Sequence, residues 1–152
     1  MYYALVIILM LVAPVVSIAA EASRASNSLG LILLIGKWFV FWGVGVRLFT
    51  AGIKQTLQPD FTAKILGIKS SDVLVVVREL GFANLAIGAI GLGAVLDDNW
   101  IVPGAVAGAI FYGAAGITHL FKHRDTAAEN VAMLSDLLMA AIAVGFIISR
   151  MV

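Results

Sequence analysis

The chain has no cysteine. This excludes disulfides, thiolate nucleophiles, thiolate metal ligands and haem thioethers. Any redox chemistry would have to come from a bound cofactor or a partner subunit. Charge is also scarce. Only 12% of residues are Asp, Glu, Lys or Arg, against roughly 25% in soluble domains. The net charge of +1 leaves no polyanion footprint, so nucleic acid is not an expected partner. P-loop, dinucleotide-binding, nucleophile-elbow and zincin motifs are absent as well.

What remains is apolar: 62% of the 152 residues are hydrophobic, and mean hydropathy is +1.06. A chain this short cannot hide so much apolar surface in one water-soluble core, so lipid must be its solvent. Five stretches approach or exceed the roughly 20 residues needed to cross a bilayer. They run from about Tyr2 to Ala20, Leu29 to Thr50, Val73 to Leu96, Trp100 to Phe121 and Val131 to Val152. Each reads as a helix, because a segment in lipid must satisfy its own backbone hydrogen bonds. The expected fold is therefore all-α: one domain over residues 1–152, built as an integral membrane bundle of five transmembrane helices.

The first stretch could also be a signal peptide cleaved after Ser17-Ile18-Ala19-Ala20. Two features favour a retained span: Met1-Tyr2-Tyr3 carries no positive side chain, and the apolar run is longer than an ordinary signal core. The connector from Lys54 to Asp72 is long and basic. Pro59 suits the first turn of a helix and Gly67 its end, which predicts a short interfacial helix near 59–67. Ser70 or Ser71 can cap the third span, and Thr126-Ala127-Ala128-Glu129 has capping-box spacing ahead of the fifth. Lys54, Lys64 and Lys69 lie in the second connector, and Lys122 and Arg124 in the fourth; the third connector has no cation. The positive-inside rule then makes the second and fourth connectors cytoplasmic. The chain is expected to be a multi-pass cell-membrane protein with its N-terminus inside and its C-terminus outside. The many glycines of the third and fourth spans, including Gly104 and Gly108, are read as helix-packing contacts.

Ionisable groups at membrane depth are costly, at least about 2.5–3.5 kcal/mol each on insertion scales, and so mark candidate sites. Arg47 lies seven residues before Lys54, Glu79 seven after Asp72, and Asp136 seven after Glu129. Seven residues of helix rise roughly 10 Å. Because neighbouring spans run in opposite directions, Arg47, Glu79 and Asp136 should all lie about 10 Å below one membrane face. His119 and Glu129 come nearer that surface. Tyr112, Gly116 and His119 share one side of the fourth span. These positions predict a polar pocket open to the cytoplasm, with Arg47, Lys54, Glu79, Tyr112, His119 and Asp136 as ligand-binding candidates. The bland alternatives are a buried Arg47–Glu79 ion pair, an interfacial His119 and a merely capping Glu129. Lys37 is placed near the opposite face, towards Asp97 or Asp98, and Asn84 in an interhelical hydrogen bond.

Arg47-Leu48-Phe49-Thr50-Ala51-Gly52-Ile53-Lys54, Pro59-Asp60-Phe61 and Arg78-Glu79-Leu80-Gly81 resemble the DoxX-like group of small membrane proteins over about the middle third of the chain. Arg47, Lys54, Pro59 and Glu79 are the matching positions. The resemblance implies a four-helix core, to which the N-terminal span is an addition, and residence in the cytoplasmic membrane. It also implies an association with quinone-linked redox chemistry, as in some relatives. His119, Glu129 and Asp136 lie outside the pattern.

Three functions fit these observations. The first is a binding protein, or an accessory subunit of a redox complex, whose pocket holds a lipid- or quinone-like amphiphile. The second is a membrane enzyme using His119, Glu129 and Asp136 as acid and base, or, more weakly, as ligands of one metal ion. The third is a small proton- or ion-coupled transporter. No particular cofactor is indicated. Expected partners are membrane lipids, with a second copy of the chain or a membrane subunit as further candidates.

Overall fold

A computed structural model describes residues 2–24, 30–65, 73–121 and 127–152, and every regular element among them is helical. Five helices are long and apolar enough to cross a membrane: Ala4–Ala22, Leu31–Leu57, Val73–Gly93, Asp98–Phe121 and Glu129–Met151. They are numbered here as spans one to five. The all-α membrane bundle expected from the apolar runs is the architecture found. The second span is the longest, at 27 residues, or about 40 Å of helix. Its C-terminal turns therefore outrun the hydrocarbon layer and carry Lys54 and Gln55 towards the interface. The short helix Pro59–Ile65 follows directly, with Pro59 at its start as anticipated. The expected stop at Gly67, the caps at Ser70, Ser71 and Thr126, and the cations Lys69, Lys122 and Arg124 fall outside the described residues.

Spans two and three cross backbone to backbone. A Cβ on Gly91 would fall under 3.0 Å from the Gly45 backbone, and one on Gly88 under 3.0 Å from that of Phe49. A Cβ on Gly52 would meet Leu85 N and the Gly81 carbonyl just as closely. The pairs Gly45–Gly91, Phe49–Gly88 and Gly52–Leu85 form one antiparallel register in which only glycine leaves room. With no hydrophobic force between helices in lipid, such close packing is the main source of cohesion. On the other flank, Gly104 and Gly108 receive the side chains of Val40 and Val44. The Gly104–Gly108 pair thus seats span four on span two.

Two spans depart from regular α geometry. Ile8–Val12 in span one and Val40–Val46 in span two are π-helical. In span one Pro14 has no N–H for the Met10 carbonyl, and the Ala13 N–H reaches five residues back to Ile8. In span two the Arg47 N–H bonds to the Trp42 and Val44 carbonyls rather than to Gly43, four residues back. The Tyr112 hydroxyl of span four donates to that Gly43 carbonyl instead.

The first span is fastened at its far end. Glu21 Oε1 accepts from Lys37 Nζ at 2.8 Å, and its Oε2 accepts from Trp38 Nε1 at 2.7 Å. Trp42 Nε1 donates to Ser17 Oγ at 3.0 Å. Lys37 therefore pairs with Glu21 and not with Asp97 or Asp98. A carboxylate sixteen residues back in the chain is brought beside it when span one lies against span two. Asp97 instead caps the tight turn Asp98–Trp100, accepting from the Asn99 N–H.

Candidate functional site

At the end of the bundle opposite Glu21, parts of all five spans and the short helix surround a cavity of about 560 Å³. That volume lies within the usual range for small-molecule sites, roughly 300–1,000 Å³. Its walls are mostly apolar, from Leu5, Val6 and Leu9 of span one to Leu80, Phe111 and Ala115 of spans three and four. Arg47, Lys54, Gln55, Asn84, Tyr112, His119 and Asp136 supply its polar groups.

The deepest polar feature is the pair Arg47–Asp136. Arg47 Nη2 lies 3.1 Å from Asp136 Oδ1, and the two side chains are 16% and 8% exposed. The same nitrogen lies 3.5 Å from Ser135 Oγ, whose own hydrogen goes to the Ala132 carbonyl. Arg47 Nη1 donates to Met10 Sδ at 3.0 Å. The guanidinium carbon stands 5.0 Å from the centre of the Tyr112 ring, close enough for cation–π attraction. Tyr112 is 1% exposed, and its hydroxyl is held by Gly43. The arginine is thus oriented by groups from spans one, two, four and five. At membrane depth the charges of the pair largely cancel, which is the condition for carrying both.

Five of the six ligand-binding candidates line this cavity: Arg47, Lys54, Tyr112, His119 and Asp136. The common depth argued for Arg47 and Asp136 is realised as direct contact. Glu79 is not brought in. It is exposed on the outer face of span three, and the carboxylate beside Arg47 belongs to Asp136. The reason is angular: Leu80 and Asn84, four residues apart, face the cavity, and Glu79 is turned about 100° from Leu80. Glu129 is partly buried but does not line the cavity. Among the described residues no three His, Asp or Glu side chains come together to hold a metal ion. His119, Glu129 and Asp136 therefore do not form a ligand set.

Lys54 occupies the exposed side of the site, its Nζ 3.7 Å from the centre of the Phe61 ring. The short helix thus places an aromatic face under the one lysine among the described residues that lines the cavity. Beside it in the chain, Gln55 Oε1 accepts from Asn84 Nδ2 at 2.7 Å. This is the interhelical bond expected of Asn84.

Sequence reasoning missed Met10, Ser135, Gln55 and the apolar wall from span one. Gln55, adjacent to Lys54, and Ser135, adjacent to Asp136, were within reach of the same spacing argument. Met10 gave no signal, because a thioether in an apolar run reads as packing.

Compared with known proteins, residues 1–151 match the model of a family described as a family of unknown function (DUF6790). No link to the DoxX-like group is shown by that match. No curated protein and no solved structure matches the chain.

Proposed function

The chain belongs to the DUF6790 family, whose function is unknown, and we propose from its own geometry that it binds a membrane amphiphile in the cavity beside Arg47 and Asp136. The observation that carries this reading is a mostly apolar space of about 560 Å³ with a charge-balanced pair buried in its wall. An acyl or isoprenoid tail suits the Leu5, Val6, Leu9 and Phe111 surface. A polar head suits the side where Lys54, Gln55 and Asn84 gather. Lipids and quinones share this chemistry; the resemblance to DoxX-like proteins at Arg47, Lys54, Pro59 and Glu79, the last of which lies outside the cavity, is the ground for a quinone or an accessory role in a redox complex. By the positive-inside argument the site opens to the cytoplasm, near Lys54 and Lys64.

Purification in mild detergent, followed by solvent extraction and mass spectrometry, tests the reading. One amphiphile per chain is expected in the wild-type protein. It should be lost in Ala115→Trp, which fills the space from a cavity-lining position. A wild-type protein that carries nothing, or a filled variant that still retains its amphiphile, would overturn the reading. His119 and Asp136 line the same space, which is what the acid–base alternative requires. Recovery of a chemically altered amphiphile would move the assignment from binding to catalysis.

A further inference from the structure

Asn84 is 3% exposed and lines the cavity. Its Nδ2 is used by Gln55, but its Oδ1 is buried with no hydrogen-bond partner. Leaving a buried carbonyl oxygen unpaired costs about as much as losing a hydrogen bond, and it is especially costly where water is scarce. Asn84 lines the cavity, so a donor on the occupant is the nearest means of satisfying this acceptor, a small turn of the amide bringing the two together. The charges nearby narrow that donor further. Lys54 lines the exposed side of the same cavity, and the Arg47–Asp136 pair is already balanced. The net charge of these groups is positive, which disfavours an ammonium head and favours an anionic one.

We infer that the amphiphile proposed above is an anionic phospholipid with a hydroxyl-bearing head, its phosphate at Lys54 and a head hydroxyl donating to Asn84 Oδ1. This rests on the amphiphile reading and makes it specific. Asn84 acts as a selectivity residue, and Gln55, which accepts from its Nδ2, is a positioning residue. Choline heads offer no donor. A simple methyl phosphodiester offers charge without one.

The test compares two lipids of identical chains and charge: phosphatidylglycerol, which has head hydroxyls, and phosphatidylmethanol, which has none. The delipidated full-length protein is offered both in equal amounts, and the retained lipid is extracted and counted. A preference of roughly five- to tenfold for phosphatidylglycerol is expected, the worth of one buried hydrogen bond. Asn84→Leu should reduce the ratio to near one while still binding both lipids. Equal retention by the wild-type protein would overturn the inference and assign Asn84 Oδ1, with the equally unpartnered Thr56 Oγ1, to an ordered water. In that outcome the broader amphiphile reading stands. If neither lipid is retained, the inference also fails, and the broader amphiphile reading then rests on what solvent extraction recovers from the native protein. Because the wild-type ratio decides the matter alone, a variant that does not fold leaves the test intact.

Discussion

At the scale of single residues the site is a problem in burying charge. Asp136 is 6% exposed, and Arg47 meets it at 3.1 Å. Removing one partner leaves the other charged and nearly buried, which costs about 3–5 kcal/mol. Asp136→Asn should therefore lower the thermal midpoint in detergent sharply, and so should Arg47→Gln. The double variant should lose much less than the sum of the two, a coupling that a double-mutant cycle reads directly. Additive losses would show that the pair contributes nothing as a pair. Tyr112→Phe removes the hydroxyl that serves the Gly43 carbonyl. A loss of about 1–3 kcal/mol is expected, the cost of one buried unsatisfied acceptor, and a midpoint unchanged in the same melt would deny the hydroxyl that role. The sequence disclosed the charges because they are expensive in lipid, and span order disclosed their common depth. It could not disclose which carboxylate Arg47 takes. That depends on helix rotation, and one residue, about 100°, separates the exposed Glu79 from the cavity-lining Leu80.

At the scale of elements, two kinds of contact hold the spans together. Between spans two and three it is the absence of side chains: Gly45, Gly52, Gly88 and Gly91 let backbones touch. Gly91→Leu would drive four carbons into the backbone of Gly45, which has no flexible side chain to yield. The expected outcome is loss of the folded, monodisperse protein in size-exclusion chromatography, whereas Gly145→Leu, with nothing within 4 Å of its Cβ position, should behave as wild type. Between spans one and two the contact is polar, through Glu21 with Lys37 and Trp38. Glycine density made close packing legible from composition, but the glycines alone did not reveal the antiparallel register. The π segments had no usable signal beyond Pro14. Val40–Val46 reads as an ordinary apolar run, yet its irregular hydrogen bonding is what frees the Gly43 carbonyl for Tyr112.

At the scale of the whole molecule, the order of five spans sets both the shared polar layer and the side it faces. Five crossings would put the ends of the chain on opposite sides, and the positive-inside rule expects the lysine-bearing side to be the cytoplasmic one. Lys54 precedes the short helix and Lys64 lies in its last turn, both at the cavity end, whereas the turn at Asp97 and Asp98 belongs to the other end and carries no cation. The complete lack of cysteine turns this into a clean experiment, because any thiol introduced is the only one present. Asp60 and Asp98 are both exposed, so a cysteine at either should react fully once the membrane is opened. In intact cells a membrane-impermeant maleimide should label Asp98→Cys and leave Asp60→Cys unlabelled until permeabilisation. The reverse pattern would turn the bundle over and open the cavity to the outside. A phospholipid bound there would then come from the opposite leaflet, while the Arg47–Asp136 pair and the Asn84–Gln55 bond, which depend only on the packing of the spans, would be unchanged.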